Sequence, residues 1–156
     1  MRISKMEDQP CRDLLARLGF GRLGCSRDNQ PYIVPIYFVC ERDRLYGFAT
    51  VGQKIEWMRL NPRVCVQADE VFGDDNWTCV VVLGRYEELP NASEYAEERR
   101  RAQSLLEKRS IWWQTSYVAA QVRDQLEPPS PVFYRIHVEE ISGLRASPEG
   151  APVRVR

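Results

Sequence analysis

The stretch YGFATVGQKIEWMRLNP, Tyr46 to Pro62, begins as an aromatic strand, passes through a Gly-Gln-Lys corner and continues as a helix that Asn61 and Pro62 end. Gly52 lets the chain bend without a Cβ penalty, and Val51, Ile55 and Met58, four and three apart, give the helix an apolar face to lay on a sheet. The first turn of such a helix also presents unpaired amides at the positive end of its dipole. Thr50, Gln53 and Lys54 surround those donors with a hydroxyl, an amide and an ammonium, a combination suited to a phosphate. A corner needed only to cover a sheet would use the same residues, so both readings stay open here.

The whole chain narrows the choice. Its 156 residues fit one domain, and a 44% hydrophobic content supplies a core. Lys plus Arg and Asp plus Glu balance at 22 each, which argues against a nucleic-acid partner or an anionic membrane surface. The five cysteines, Cys11, Cys25, Cys40, Cys65 and Cys79, form no C-x-x-C pair and meet a single histidine. They read as small, reduced core residues of a cytoplasmic protein, with no disulfide framework and no metal site. No signal peptide and no apolar run near the roughly 20 residues of a membrane span is present, so Asn91-Ala92-Ser93 is not expected to carry a glycan.

Outward from the corner, Leu14, Leu15 and Leu18 mark a helix over residues 9–18 that Gly19 ends. Strand-like runs follow at Phe20–Ser26, Tyr32–Cys40 and Arg44–Thr50, separated by turn-forming RDNQP and ERD. Arg63–Asp69 alternates apolar and polar residues, and FGDDN then turns the chain. WTCVVVLGRYEEL, Trp77–Leu89, has an unbroken apolar middle and is expected to be covered on both faces, with barrel closure as the cover. Asn91 and Glu94 resemble a capping box for a helix to about Lys108, whose EERRR run, with Glu97 and Arg101 paired at i, i+4, reads as a solvated face. A further helix near Ser116–Leu126 and a last strand VFYRIHV complete the pattern, and the tail from Ser147 has none. Six or seven mostly antiparallel strands with few helices predict a mainly β (α+β) fold, a small antiparallel barrel with peripheral helices.

Pro35 interrupts YIVPIYFVC, where it cannot donate a ladder hydrogen bond. It marks either an edge strand or bulge, or a strand along which a planar ligand lies. The ordered set GFGRLGC, YIVPIYFV, LYGFATVGQKIEWMRLNPRVCVQADEV, WTCVVVLGRYEEL and PVFYRIHVEEISG resembles the pyridoxamine 5′-phosphate oxidase-like FMN-binding split-barrel superfamily, closest to its nitroimidazole-resistance-type branch. G-x-K-I followed by N-P-R-V-x-V is the most telling piece. The resemblance implies one FMN-binding split-barrel domain over 1–146 and a loose tail over 147–156.

It further implies that Val34, Pro35, Ile36 and Tyr37 follow the flavin ring edge and that Phe48, Ala49 and Thr50 lie under the ribityl chain. Gln53 and Lys54 would grip the phosphate, and Trp77 would reach the cofactor of the other protomer of a homodimer with sites at its interface. Trp112 and Trp113 would shape the pocket mouth. Phe48 stands where some relatives carry a histidine, and His137, in the last strand, reads as a sheet residue, so no catalytic side chain is assigned. The implied activity is an FMN-dependent oxidoreductase moving electrons from a reduced nicotinamide to a small planar acceptor such as a nitro compound, a quinone or a flavin. The alternatives are a flavin-binding sensor or storage module without turnover, or a barrel holding deazaflavin F420 or haem.

Overall fold

The computed structural model describes residues 1–109 and 131–149. Alternating apolar and polar residues resolve into eight strands: β1 Arg2–Met6, β2 Phe20–Arg27, β3 Gln30–Tyr37, β4 Val39–Glu41, β5 Arg44–Thr50, β6 Arg63–Gly73, β7 Asn76–Leu89 and β8 Pro131–Ser147. Helices α1 Asp8–Leu18, α2 Gln53–Leu60 and α3 Ala96–Glu107 lie between them. All pairings are antiparallel, in the order β3-β2-β6-β7-β8-β5-β4 with β1 added on β8. The two ends of this path, β3 and β4, are consecutive in the chain, and β3 curls back against β5. The result is a split barrel.

The residue at the split is Phe38. The apolar run Tyr32–Cys40 looks like one strand, but the structure breaks it there: β3 pairs with β2, and β4 pairs with β5 at the other side of the sheet. Gly19 fixes the break. It ends α1 in the left-handed conformation at φ 63°, and its carbonyl accepts the Phe38 amide at 2.9 Å. That bond sets the ladder alternation, so the backbones of Ile36 and Val34 face Gly21 and Leu23 while the nitrogens of Pro31 and Pro35 turn to the open edge. Pro35 therefore costs no ladder bond, as its edge-strand reading requires.

Inside the barrel, Leu23, Val66, Val80, Val82 and Ile136 are fully buried, and Gly47 leaves room for the buried Tyr134 ring opposite it. Helix α1 closes one end with Cys11, Leu14 and Leu15, and α2 closes the other with Ile55 and Met58. The outward face of β7 differs from its expected cover, because closure shields only the inward residues: Leu83 stays 46% exposed, as do Leu144 at 40% opposite Cys79 and Val71 at 68% opposite Trp77 further along the strand. Strand β1, whose residues are almost all exposed, has no apolar pattern and was not expected; it pairs with Gly143–Ser147 and carries the last strand well beyond VFYRIHV.

The capping box at Asn91 does not form. A 3₁₀ turn over Ser93–Tyr95 leads into α3, with Tyr95 at its N-cap and no side-chain cap. EERRR is solvated only in part: Glu97, Arg100 and Arg101 are exposed, but Arg101 pairs with Glu41 instead of Glu97, while Arg99 donates to the Leu89 carbonyl at 2.8 Å and lies 4.7 Å from the centre of the Phe133 ring. These contacts hold α3 over a small second core of Tyr46, Leu89 and Ala102. The helix near Ser116–Leu126 and the tail residues 150–156 lie outside the described residues. Among the described residues no helix is long and apolar enough to cross a membrane, and no cluster of ligating side chains could hold a metal.

On the outer sheet face, Arg135 donates two hydrogen bonds to Glu87, at 2.8 and 3.0 Å, and His137 also meets that carboxylate. His137 is a sheet residue, as expected, but with an acidic partner from the neighbouring strand that sequence proximity does not reveal. The Arg135 bonds, opposed by burial and helped by His137, hold the Glu87 carboxyl down at about 2. A depressed carboxyl stabilises the fold above its ordinary pKa and loses that contribution as pH falls through the folded value. Unfolding titrations from pH 6 to pH 2 should therefore show an acid-sensitive limb between about 4.5 and about 2. Its size has an upper bound of about 3 kcal/mol, at about 1.4 kcal/mol per unit. Glu87→Gln should be less stable at neutral pH and lose that limb; an unchanged limb refutes the assignment.

Candidate functional site

Strand β5 delivers Thr50 to one end of the barrel, and α2 starts three residues later. Gly52 is the N-cap, but its φ of −171° is extended backbone that any residue adopts, and a Cβ there would meet nothing. The expected conformational role of this glycine is thus absent. Val51 precedes the helix and is half exposed, so Ile55 and Met58 alone form the buried face. No side chain caps α2. Among the described residues no acceptor outside the helix meets its first amides, and the Gly52 carbonyl begins the ladder by taking the Glu56 amide at 3.0 Å.

The helix is held from three sides. Arg59 makes two bonds to Glu88, at 2.8 and 2.7 Å; Asn61 Nδ2 donates to the Ser26 carbonyl at 3.2 Å; and the Trp57 ring packs 5.5 Å from Tyr32. None of these pairs is visible from sequence spacing, since each joins residues more than twenty positions apart. They fix where the bare helix start points. Lys54, on the first turn, is half buried beside Cys25 of β2, and among the described residues no carboxylate pairs with it. Burial pushes its pKa below the ordinary lysine value, against a smaller opposing influence from Cys25. A desolvated cation without a counter-charge, next to free helix amides, is a site prepared for an anion. Cys25 is the neighbour that sequence reasoning passed over; its inward position in the alternation of β2 was the available signal.

The other residues named from the sequence divide by face. Phe48 and Thr50 point to the outer side of the sheet, where Phe48 lies 5.2 Å from Phe133, whereas Ala49 is buried in the core and can offer only backbone. Pro35 and Tyr37 turn outward from β3, with Tyr37 against Phe20, while Val34 and Ile36 pack inward. Gln53 is exposed at the helix start. Trp77 is not brought to this corner. Cys25 lies near the level of Leu83 across the sheet, and Trp77 is six residues further along β7, about 20 Å at roughly 3.3 Å per residue. Trp112 and Trp113 lie outside the described residues.

The family model described as pyridoxamine 5′-phosphate oxidase matches residues 7–145, and the chain belongs to that family. It is 38% identical over 146 residues to the uncharacterized protein RA0666 of Rhizobium meliloti (strain 1021), covering 94% of this chain and 97% of that protein. The crystal structure of the FAD-binding protein mll6688 from Mesorhizobium loti is 40% identical, with a TM-score of 0.76 over 95% of this chain and 99% of that one. A candidate 5-nitroimidazole antibiotic resistance protein from Bacteroides thetaiotaomicron, 19% identical, superposes with a TM-score of 0.65 over 95% of this chain and 93% of that one, a likeness of fold alone.

The electrostatics of Lys54 make a pH test. Its cation is the form that attracts an anion, and its pKa in the empty site is depressed, so phosphate-dependent affinity should fall as pH rises through a value below the ordinary 10.5. Binding should also take up protons just above that value, because a bound anion raises the pKa again. Isothermal titration of FMN and riboflavin in two buffers of different ionisation heat at alkaline pH checks this. Proton uptake common to both flavins would remove the phosphate from the argument.

Proposed function

We propose that this chain is one half of a homodimeric flavoenzyme that holds the phosphate of FMN at the Thr50–Lys54 corner. In this reading it passes electrons from a reduced nicotinamide to a small planar acceptor such as a nitro compound, a quinone or a second flavin. The observation that carries the reading is the half-buried Lys54 ammonium, with no ion-pair partner among the described residues, beside a helix start without a side-chain cap. The flavin itself supplies the electron chemistry, and the chain binds, orients and shields it. Lys54, Gln53 and the α2 amides take the phosphate. Thr50 and Phe48 lie on the outer face next to them, and the open edge of β3 offers backbone groups to the polar rim of a flat ring.

FAD is the second reading, because the Mesorhizobium relative is described as an FAD-binding protein. FMN is preferred since the corner has donors for one phosphate and the sequence has no dinucleotide fingerprint. Mass spectrometry of the released chromophore decides between them. Steady-state oxidation of NADH or NADPH with a panel of acceptors separates an enzyme from a flavin-storing module.

A second copy is the natural cover for the outward face of β7, where Leu83, Val71 and Leu144 remain in water and Trp77 begins the same strand. In this reading Trp77, about 20 Å from its own corner, reaches the cofactor of the other chain. Lys54→Ala should weaken FMN by one to two decades, the equivalent of about 1.5–3 kcal/mol for a charge-assisted bond. Mixing Lys54→Ala with Trp77→Ala protein tests the sharing: verified heterodimers hold one intact site and one doubly damaged site. Tight binding in about half of the heterodimer's sites supports the arrangement. Uniformly weak binding places both residues in one chain's site and removes it.

A further inference from the structure

Several arginines on this barrel are pinned to carboxylates: Arg59 to Glu88 and Arg135 to Glu87 by two bonds each, Arg22 to Asp69 at 2.6 Å, and Arg12 and Arg17 to Asp43 and Glu70. One cleft gathers charged side chains that are not. It lies between the β4–β5 turn and the first turns of α3, with a volume near 560 Å³. Its strand wall carries Arg42 and Arg44, and its helix wall carries Glu97, Glu98 and Arg100, yet among the described residues none of the five has an ion-pair partner. These acids and bases face one cleft beside the single pair formed in its lining, Arg101 with Glu41. The walls are held apart at a defined spacing by Arg101, which reaches across from α3 to grip Glu41 of β4 through two hydrogen bonds.

The placement of the cations adds to this. Arg42 projects from a turn at a left-handed φ of 54°, two positions from Arg44. Across the sheet from Arg44, His137 meets Glu87 and Arg85 pairs with Glu139, so Arg42 and Arg44 are the strand-side guanidiniums left to meet an anion in the cleft. The opposite wall supplies the Glu97 and Glu98 carboxylates, which accept hydrogen bonds from hydroxyls, beside Arg100 and the Glu41-bound Arg101.

We infer that this cleft binds the phosphorylated ribose of a nucleotide, its phosphates on Arg42 and Arg44 and its ribose hydroxyls on Glu97 or Glu98. Guanidinium forks suit phosphate oxygens, and an acidic residue accepting from a ribose diol is the complementary contact. The site is separate from the Lys54 corner, at the opposite end of β5, six residues and about 20 Å away. It does not depend on which flavin, if any, occupies that corner.

The probe is ADP, titrated calorimetrically into the full chain with and without FMN. Submillimolar binding is expected in both. Arg42→Gln/Arg44→Gln should raise the ADP Kd at least tenfold, the loss of one charge-assisted contact or more. Both positions are exposed, so the variant should keep the wild-type Tm. Glu98→Gln combined with Glu97→Gln should weaken ADP while leaving inorganic pyrophosphate unchanged or tighter, which separates ribose from phosphate recognition. Lys54→Ala should leave ADP binding intact even where it abolishes FMN binding. Displacement of ADP by FAD would identify the adenosine half of the cofactor as the occupant, and displacement by NADPH the electron donor. Absence of ADP binding at millimolar concentration overturns the inference. So does binding that survives the double arginine substitution or disappears with Lys54→Ala.

Discussion

One backbone hydrogen bond, from the Phe38 amide to the Gly19 carbonyl, organises the molecule. Upstream, Gly19 stops α1 and starts β2 in the same residue; downstream, Phe38 stops β3 and releases the chain to the far side of the sheet as β4. Phe38 is itself 1% exposed, so its side chain is fastened into the core at the point where the ladder is cut. Move that bond by one residue and the inward set Tyr32, Val34, Ile36 would turn to water. The edge of β3 and the neighbouring end of β5 therefore owe their relative position to a contact made by residues that neither site uses.

The candidate site depends on a different economy of charge. The protein as a whole is neutral and many of its arginines are paired, which makes a half-buried lysine with no acid among the described residues conspicuous. Its desolvation is imposed by α2, and α2 is held by Arg59, Asn61 and Trp57 on its last turns, well away from Lys54 itself. Rigidity is thus supplied at one end of the helix and the reactive electrostatics at the other. A short helix of eight residues could not keep its first turn in place by intrinsic propensity.

What the sequence makes legible here is local. Leu14, Leu15 and Gly19 specify a helix and its end, and Ile55 and Met58 specify the buried side of another, because each signal repeats within one turn of backbone. Phe38 was not legible, since apolar residues continue on both sides of it and only the choice of partner strand changes. Arg99 and Arg101 look like solvent-facing charge because their partners, Leu89 and Glu41, lie ten and sixty positions away. Gly52 misled in the other direction: its residue type suggested a special conformation that the backbone does not use. At the site, Lys54 and Thr50 were legible from type and spacing, whereas the partnerless burial of Lys54 is a property of the assembled barrel.

The outward-facing prolines of β3 have a consequence for how the protein survives at high concentration. Among the described residues β3 ends the sheet with no further strand on it, and such an edge is the surface on which chains nucleate intermolecular sheets. Of the outward positions 31, 33 and 35, two are prolines, so an incoming strand would find donors missing at alternate steps and could not complete a ladder. A flat small molecule needing only one or two acceptors meets no such obstacle. The edge thus discriminates by the number of donors a visitor demands, which disfavours a polypeptide more than a compact ring.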